Sequence, residues 1–157
     1  MYLEKIHYCK PTLLDIDDMQ KLVEPYVKEG IILPRSDDEI ATNIRSYTVA
    51  KTDKNIIGYV ALHIHSKTLA EIRSLVVSRV YQGKGIGKAL VEKAIKEGKF
   101  LKVKKILSLT YNKEFFQKIG FYEINKEDVP EHKIWQDCIK CKHFPICNEV
   151  AMMIDLG

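Results

Sequence analysis

The sequence lacks any run of the roughly 20 apolar residues that a membrane-spanning helix needs. Its first residues, MYLEKIHYCKPTLLDIDD, also lack the apolar centre of a signal peptide, so we expect a cytoplasmic protein without a membrane partner. No repeat, low-complexity stretch or linker rich in proline, glycine and serine interrupts the 157 residues. A single domain over 1–157 is therefore expected.

A large charge imbalance is also missing, since 25 Lys and Arg oppose 21 Asp and Glu and leave a net charge of +4. Residues 82–105 nevertheless hold eight lysines against two glutamates, a local net of +6. Such a segment could face a polyanion or form the solvated side of a surface helix. Because the aromatic side chains typical of nucleic-acid surfaces are not interleaved with it, we expect no nucleic-acid partner.

Hydrophobic periodicity predicts a mixed αβ order, with antiparallel hairpins early and a strand–turn–helix–strand unit in the middle. A helix is predicted over about 13–30, with a kink or break at Pro25. Its apolar stripe consists of Leu14, Met19, Leu22, Val23 and Tyr26. Further helices are predicted over 37–45, 88–99 and 112–119. Ser36 and Glu39 form a predicted capping box before the second helix. Predicted strands cover 46–51, 56–65, 68–78, 105–110, 121–124 and 151–155.

The strand predicted over 68–78 carries charge inside an apolar sequence, LAEIRSLVV. Alternation places the following side chains on one face: Glu71, Arg73, Leu75 and Val77. Two charged groups within a sheet require a partner or a function.

Three glycines in five residues, Gly83, Gly85 and Gly87, stand between this strand and the next helix. Glycine lets the backbone approach a ligand closely and point its N–H groups outward, while the helix start adds positive potential. Lys84 and Lys88 add charge at the rim, so the loop is a predicted phosphate cradle. The P-loop spacing GxxxxGK[ST] and the dinucleotide pattern GxGxxG are both absent.

The string SLVVSRVYQGKGIGKALVEKA resembles the acetyl-CoA-binding motif of the GNAT acetyltransferases, and NKEFFQKIGFYEI resembles their closing helix and Gly-Phe turn. The resemblance implies the α+β GNAT acyl-CoA N-acyltransferase fold. In this fold a mixed, mostly antiparallel sheet is flanked by helices, and strands 4 and 5 (68–78 and 105–110) splay apart around pantetheine. It further implies an acetyl-CoA site formed by Val76, Val77, Gln82, Gly83, Lys84, Gly85, Ile86, Gly87, Lys88 and Asn112.

Five further segments resemble the single-domain amino-acid acetyltransferases that make N-acetylglutamate, the first step of arginine biosynthesis. They are LPRS (33–36), LAEIRSL (69–75), LTYNKEFF (109–116), HKIWQDCIKC (132–141) and FPICNEVAM (144–152). The implied reaction transfers acetyl from acetyl-CoA to the α-amino group of L-glutamate. Two alternative acceptors stay open, another small amine and a protein amine, and so does a non-catalytic CoA-binding module. The resemblance also leaves open whether the chain forms a homodimer.

The reaction calls for a proton acceptor, because an α-amino group with a pKa near 8 is largely protonated at pH 7. Glu71 is the candidate, although pairing with Arg73 or another cation is an alternative role. A strand N–H near Val76 or Val77 could hold the oxyanion. The resemblance implies a tyrosine acid at position 116, but this chain has Phe116, so Tyr111 is the substitute donor unless it only packs.

Glutamate has two carboxylates, which cations bind. The candidates for substrate binding are Arg35, Ser36, Arg73 and Lys133.

Three cysteines, Cys138, Cys141 and Cys147, lie in a predicted C-terminal flap over about 130–150. Their spacing is compatible with a zinc site, in which a nearby histidine would be the fourth ligand. The second CxxC pair of a zinc site is missing, so reduced thiols or a disulfide are favoured over metal.

Overall fold

The computed structural model describes residues 5–129 and 149–157. The elements are β1 (His7–Cys9), α1 (Ile16–Lys28), α2 (Asp37–Thr42), β2 (Tyr47–Lys51), β3 (Ile56–Ile64), β4 (Leu69–Val77), α3 (Ile86–Leu101), β5 (Lys105–Thr110), α4 (Lys113–Ile119), β6 (Tyr122–Ile124) and β7 (Val150–Asp155). Within the described ranges no helix is long and apolar enough to cross a bilayer.

The strands form one seven-stranded sheet in the order β1-β2-β3-β4-β5-β7-β6. The pairs β1–β2, β2–β3, β5–β7 and β6–β7 are antiparallel, whereas β4 and β5 are parallel. The mixed, mostly antiparallel sheet with flanking helices is thus confirmed. The sequence does not predict β1, because three residues are too few to show alternation.

Helix α1 turns Met19 and Val23 into the core. The predicted break at Pro25 is wrong, since the helix continues through it to Lys28. Pro25 lies in the last turn, where losing one backbone hydrogen bond disturbs little that follows. The placement of Leu14 on the apolar side is also wrong, because it lies in a 3-10 turn before the helix with its side chain 92% exposed.

Helix α2 begins at the predicted capping box. The Ser36 hydroxyl accepts the Glu39 N–H at 3.1 Å, and the Glu39 carboxylate accepts the Ser36 N–H at 3.1 Å. The helix ends at Thr42, earlier than expected, and Arg45 lies in the 3-10 turn Ile44–Ser46 that follows.

The chain divides into two compact units, each with an apolar core. The first comprises the described residues of 1–62 and 73–96, and its buried core includes Met19, Ile40, Val49, Tyr59 and Val76. The second comprises those of 63–72 and 97–157, with a core of Leu107, Val129, Ala151 and Met153. The single domain expected over 1–157 stays a prediction.

Strand β4 is irregular at Ser74, whose φ is 55°, in the left-handed region. Strict alternation assumes extended backbone throughout, so the predicted common face of Glu71, Arg73, Leu75 and Val77 does not extend past residue 74. The ladder with β5 covers the first three residues of β4, and Glu71 pairs last, with Leu107.

Candidate active site

The loop between β4 and α3 turns at two glycines. Gly83 and Gly85 have φ angles of 80° and 81°, a conformation that residues with a Cβ rarely adopt. A Cβ on either would meet no described atom within 4 Å, so backbone conformation and not crowding requires glycine. Both are exposed, and the loop therefore offers its backbone to a ligand.

This loop leads directly into the N-terminus of α3. The Ala89 N–H donates to the Gly85 carbonyl at 3.0 Å as the helix begins. The preceding N–H groups, of Ile86, Gly87 and Lys88, have no acceptor within the helix, and the helix dipole adds positive potential beside them. The arrangement suits an anion such as a diphosphate.

The carbonyl oxygen of Val77, at the end of β4, accepts two side-chain hydrogen bonds. The Tyr26 hydroxyl donates at 2.6 Å and Gln82 Nε2 at 3.3 Å, and Gln82 also donates to the Tyr26 oxygen at 2.8 Å. The Ser78 N–H donates to the Ile57 carbonyl of β3. Because successive residues of a strand direct their N–H and C=O groups to opposite edges, the N–H and C=O of Val77 face the edge of β4 that is turned away from β3. For Val77, a role in binding pantetheine would therefore depend on its N–H.

Sequence reasoning missed Tyr26, which joins the end of α1 to this loop. The Arg79 guanidinium lies 5.2 Å from the centre of the Tyr26 ring and also pairs with Glu29. Its place in the predicted apolar stripe of α1 accounts for the ring but not for the hydroxyl. Tyr26 and Gln82 together fix the last carbonyl of β4, and the predicted contact of Gln82 with acetyl-CoA stays a prediction.

Glu71 is buried, and a histidine that directly follows β3 holds its carboxylate. The distance from Glu71 Oε1 to His65 Nε2 is 2.9 Å, and the two side chains are 4% and 2% exposed. His63, two residues earlier, packs its ring edge-on against His65 with centroids 4.6 Å apart. Sequence reasoning missed both histidines. The available signal was their position just before the loop that leads into β4, the strand that carries Glu71.

Arg35 and Arg73 both act electrostatically on Tyr47. Burial raises the pKa of the Tyr47 phenol, while the two guanidinium groups oppose that increase and the Glu39 carboxylate adds to it. Tyr59 packs edge-on against Tyr47 with centroids 5.5 Å apart, and burial raises its pKa as well, again opposed by Arg35. Two of the predicted substrate-binding residues therefore share one neighbourhood.

Gln20 of α1 holds the segment before α2 through the backbone of Arg35. Gln20 Nε2 donates to the Arg35 carbonyl at 2.8 Å and to Asp37 at 3.0 Å, while Arg35 Nη1 lies 3.9 Å from Glu39 Oε2. The Ser36 N–H is occupied in the capping box, so a contact of Ser36 with substrate would have to come from its hydroxyl proton.

Tyr111 and Asn112 stand between β5 and α4. Tyr111 is 54% exposed, and the Asn112 side chain caps α4 by accepting the Phe115 N–H at 3.3 Å. Phe116 is buried and packs edge-on against Phe115 and Phe121, so it belongs to the apolar interior. The catalytic role of Tyr111 and the acetyl-CoA contact of Asn112 stay predictions.

Lys133, Cys138, Cys141 and Cys147, with the predicted flap, lie outside the described residues. Within 5–129 and 149–157, no group of three or more His, Cys, Asp or Glu side chains could hold a metal ion.

Sequence comparison finds relatives among acetyltransferases. The chain is 41% identical over 145 residues to a Chlorobaculum tepidum protein named an uncharacterized N-acetyltransferase, with 90% of each chain covered. It is 31% identical over 124 residues to the amino-acid acetyltransferase of Mannheimia succiniciproducens, a match that covers 78% of this chain and 28% of that one.

Comparison of folds finds N-acetylglutamate synthase from Neisseria gonorrhoeae, solved with coenzyme A and N-acetyl-glutamate. The TM-score is 0.87 at 22% sequence identity, over 99% of this chain and 36% of that one. The present chain thus spans about a third of the length of that synthase.

The glycine loop at the start of α3 and the seven-stranded sheet agree with a family match. The model described as the acetyltransferase (GNAT) family matches residues 14–123, more than two thirds of the chain. The chain therefore belongs to the GNAT acetyltransferase family and is an acetyl-CoA-dependent N-acetyltransferase.

Proposed function

We propose that the chain transfers the acetyl group of acetyl-CoA to the α-amino group of L-glutamate. The observation that carries this proposal is that two guanidinium groups, Arg35 and Arg73, both act electrostatically on Tyr47, where they oppose the rise in its phenol pKa that burial causes. Two arginines suit a substrate with two carboxylates, because a guanidinium can bind a carboxylate through two parallel hydrogen bonds. The names of the Mannheimia relative and of the Neisseria synthase support an amino-acid acceptor.

Acetyl-CoA is assigned to the loop before α3. The N–H groups of Ile86, Gly87 and Lys88 would receive the diphosphate, and the exposed Lys84 and Lys88 side chains would add positive charge. The N–H of Val77 would pair with pantetheine, since the Val77 carbonyl already accepts from Tyr26 and Gln82. The coenzyme A in the Neisseria structure is consistent with this assignment.

Glu71 is assigned as the proton acceptor. The ammonium of the substrate must lose a proton before its nitrogen can attack, and a carboxylate could take that proton directly or through water. Attack then forms a C–N bond to the thioester carbonyl and an oxyanion, for which a backbone N–H of β4 other than that of Val77 is the candidate donor. Collapse breaks the C–S bond as the nitrogen, positively charged after attack, loses its extra proton to water, and Tyr111 or water donates a proton to the thiolate.

An acceptor with one carboxylate is the second candidate. Arg35 lies 3.9 Å from the Glu39 carboxylate, which competes with a substrate carboxylate for this guanidinium. Other amino acids or small amines would then be acetylated as well as glutamate.

A screen of amino acids and small amines with acetyl-CoA, followed by the release of free thiol, tests the acceptor. We expect glutamate to give the highest kcat/KM, at least about 10-fold above glutamine, because a charged hydrogen-bonded contact is worth about 1.5–3 kcal/mol. Equal rates with monocarboxylates would support the second candidate and contradict the first. Preference for glutamate would suit a cytoplasmic enzyme at the start of arginine biosynthesis.

A further inference from the structure

We propose that His65 is a positioning residue for acetyl transfer, which donates Nε2–H to Glu71 and holds its carboxylate in the ionised form that accepts the substrate proton. The inference rests on the role proposed above for Glu71. It deepens that function by assigning a second residue to the proton-accepting step.

The geometry of the pair carries the inference. His65 Nε2 lies 2.9 Å from Glu71 Oε1, and the side chains are 2% and 4% exposed. A neutral imidazole has one donor and one acceptor nitrogen, whereas an ionised carboxylate only accepts. If Glu71 is the base, Nε2 must therefore carry the proton. The reverse arrangement, in which a protonated Glu71 donates to Nε2, has no vacant carboxylate to receive a proton.

The surroundings of the pair favour a strong hydrogen bond. On β3, His63 contacts the His65 ring edge-on, and on β4, Arg73 follows Glu71 by two residues. On β5, the residue in register with Glu71 is the apolar Leu107. A hydrogen bond to a charged group gains strength when water is excluded from around it.

The proton-accepting step then has a defined balance. The N–H bond of the substrate ammonium breaks and an O–H bond forms on Glu71, while His65 keeps both its proton and its neutral charge. The free amine nitrogen holds the electron pair that attacks the thioester. Loss of the Glu71 proton to solvent after each turnover restores the starting state.

Two His65 variants separate positioning from simple packing. His65→Gln keeps an N–H donor near the Nε2 position without a titrating ring, whereas His65→Leu removes the donor. His7→Leu, at an exposed position on β1, is the matched control. The readout is the pH profile of kcat/KM, measured with whichever amine the wild-type enzyme acetylates fastest.

We expect His65→Leu to lower kcat/KM at pH 7 by about 10²-fold and to move its acidic limb upward by about one pH unit, because the ionised carboxylate loses its donor. His65→Gln and His7→Leu should keep the wild-type limb. An unmoved limb in His65→Leu, or the same shift in His65→Gln, would overturn the proposal. Failure of glutamate as acceptor would leave this test intact, because it uses the best amine found.

A measurement on the wild-type protein covers the case in which His65→Leu does not fold. Nitrogen-15 NMR of the histidine rings distinguishes the two neutral tautomers, and Glu71→Gln identifies the signal of the ring that contacts Glu71. An Nε2–H tautomer at His65 supports the proposal, and an Nδ1–H tautomer contradicts it.

Discussion

Charged side chains inside β4 show how single residues become part of a site. Glu71 and Arg73 lie in an otherwise mostly apolar strand, where an ionised group must be compensated by hydrogen bonds or opposite charge. The Glu71 carboxylate contacts His65, which lies in the loop between β3 and β4. The Arg73 guanidinium acts electrostatically on Tyr47, and a substrate carboxylate could bind to the same guanidinium.

Replacing Arg73 tests this reading of the guanidinium. We expect Arg73→Ala to raise the KM for glutamate by about 10- to 100-fold, because a charge-assisted hydrogen bond contributes about 1.5–3 kcal/mol. The KM for acetyl-CoA should stay within about twofold, as steady-state kinetics with each substrate varied in turn would establish. Arg45→Ala removes an exposed arginine from a 3-10 turn and serves as the control. Equal loss of affinity for both substrates would argue against a substrate contact.

At the scale of elements, local signals were sufficient for some parts of the fold. The capping box at Ser36 and the hairpin of β2 and β3 follow from residues a few positions apart, and both were predicted. The left-handed φ of Ser74 was not, because it depends on how β4 pairs with its neighbours and leaves no mark in the residue pattern. The faces inferred from alternation therefore hold only up to that residue.

The loop before α3 is the element whose conformation can be tested most directly. Gly85 has a φ of 81°, and a Cβ in such a conformation costs about 1–2 kcal/mol. If the loop relaxes, binding must restore it, so Gly85→Ala should raise the Kd for coenzyme A by about 10-fold in calorimetry. Gly98→Ala, in the interior of α3, is the control. The new Cβ would meet Ile106 Cδ1 at 3.0 Å, so this variant should change the stability of the fold and not the affinity for coenzyme A. Similar losses of affinity in both variants would refute the cradle.

At the scale of the whole molecule, candidate residues could be predicted but their partners could not. The bond between Tyr26 and the Val77 carbonyl joins positions 51 residues apart, and that between Gln20 and the Arg35 carbonyl joins positions 15 apart. Such contacts depend on how elements pack, which hydrophobic periodicity does not encode. The glycine loop was accessible from the sequence because its function depends on consecutive backbone groups.

Ligand binding should stabilise the whole chain in a way that depends on the diphosphate. Coenzyme A at 100 times its Kd should add about 2.7 kcal/mol to the free energy of unfolding, since it binds the folded state only. For a chain of this size the melting temperature should rise by about 5–10 °C, which differential scanning calorimetry can measure. Pantetheine at the same concentration lacks the diphosphate and the phosphorylated adenosine attached to it and should give less than half this shift. Equal shifts would mean that the loop amides contribute little, because binding would then depend on the pantetheine arm that both ligands share.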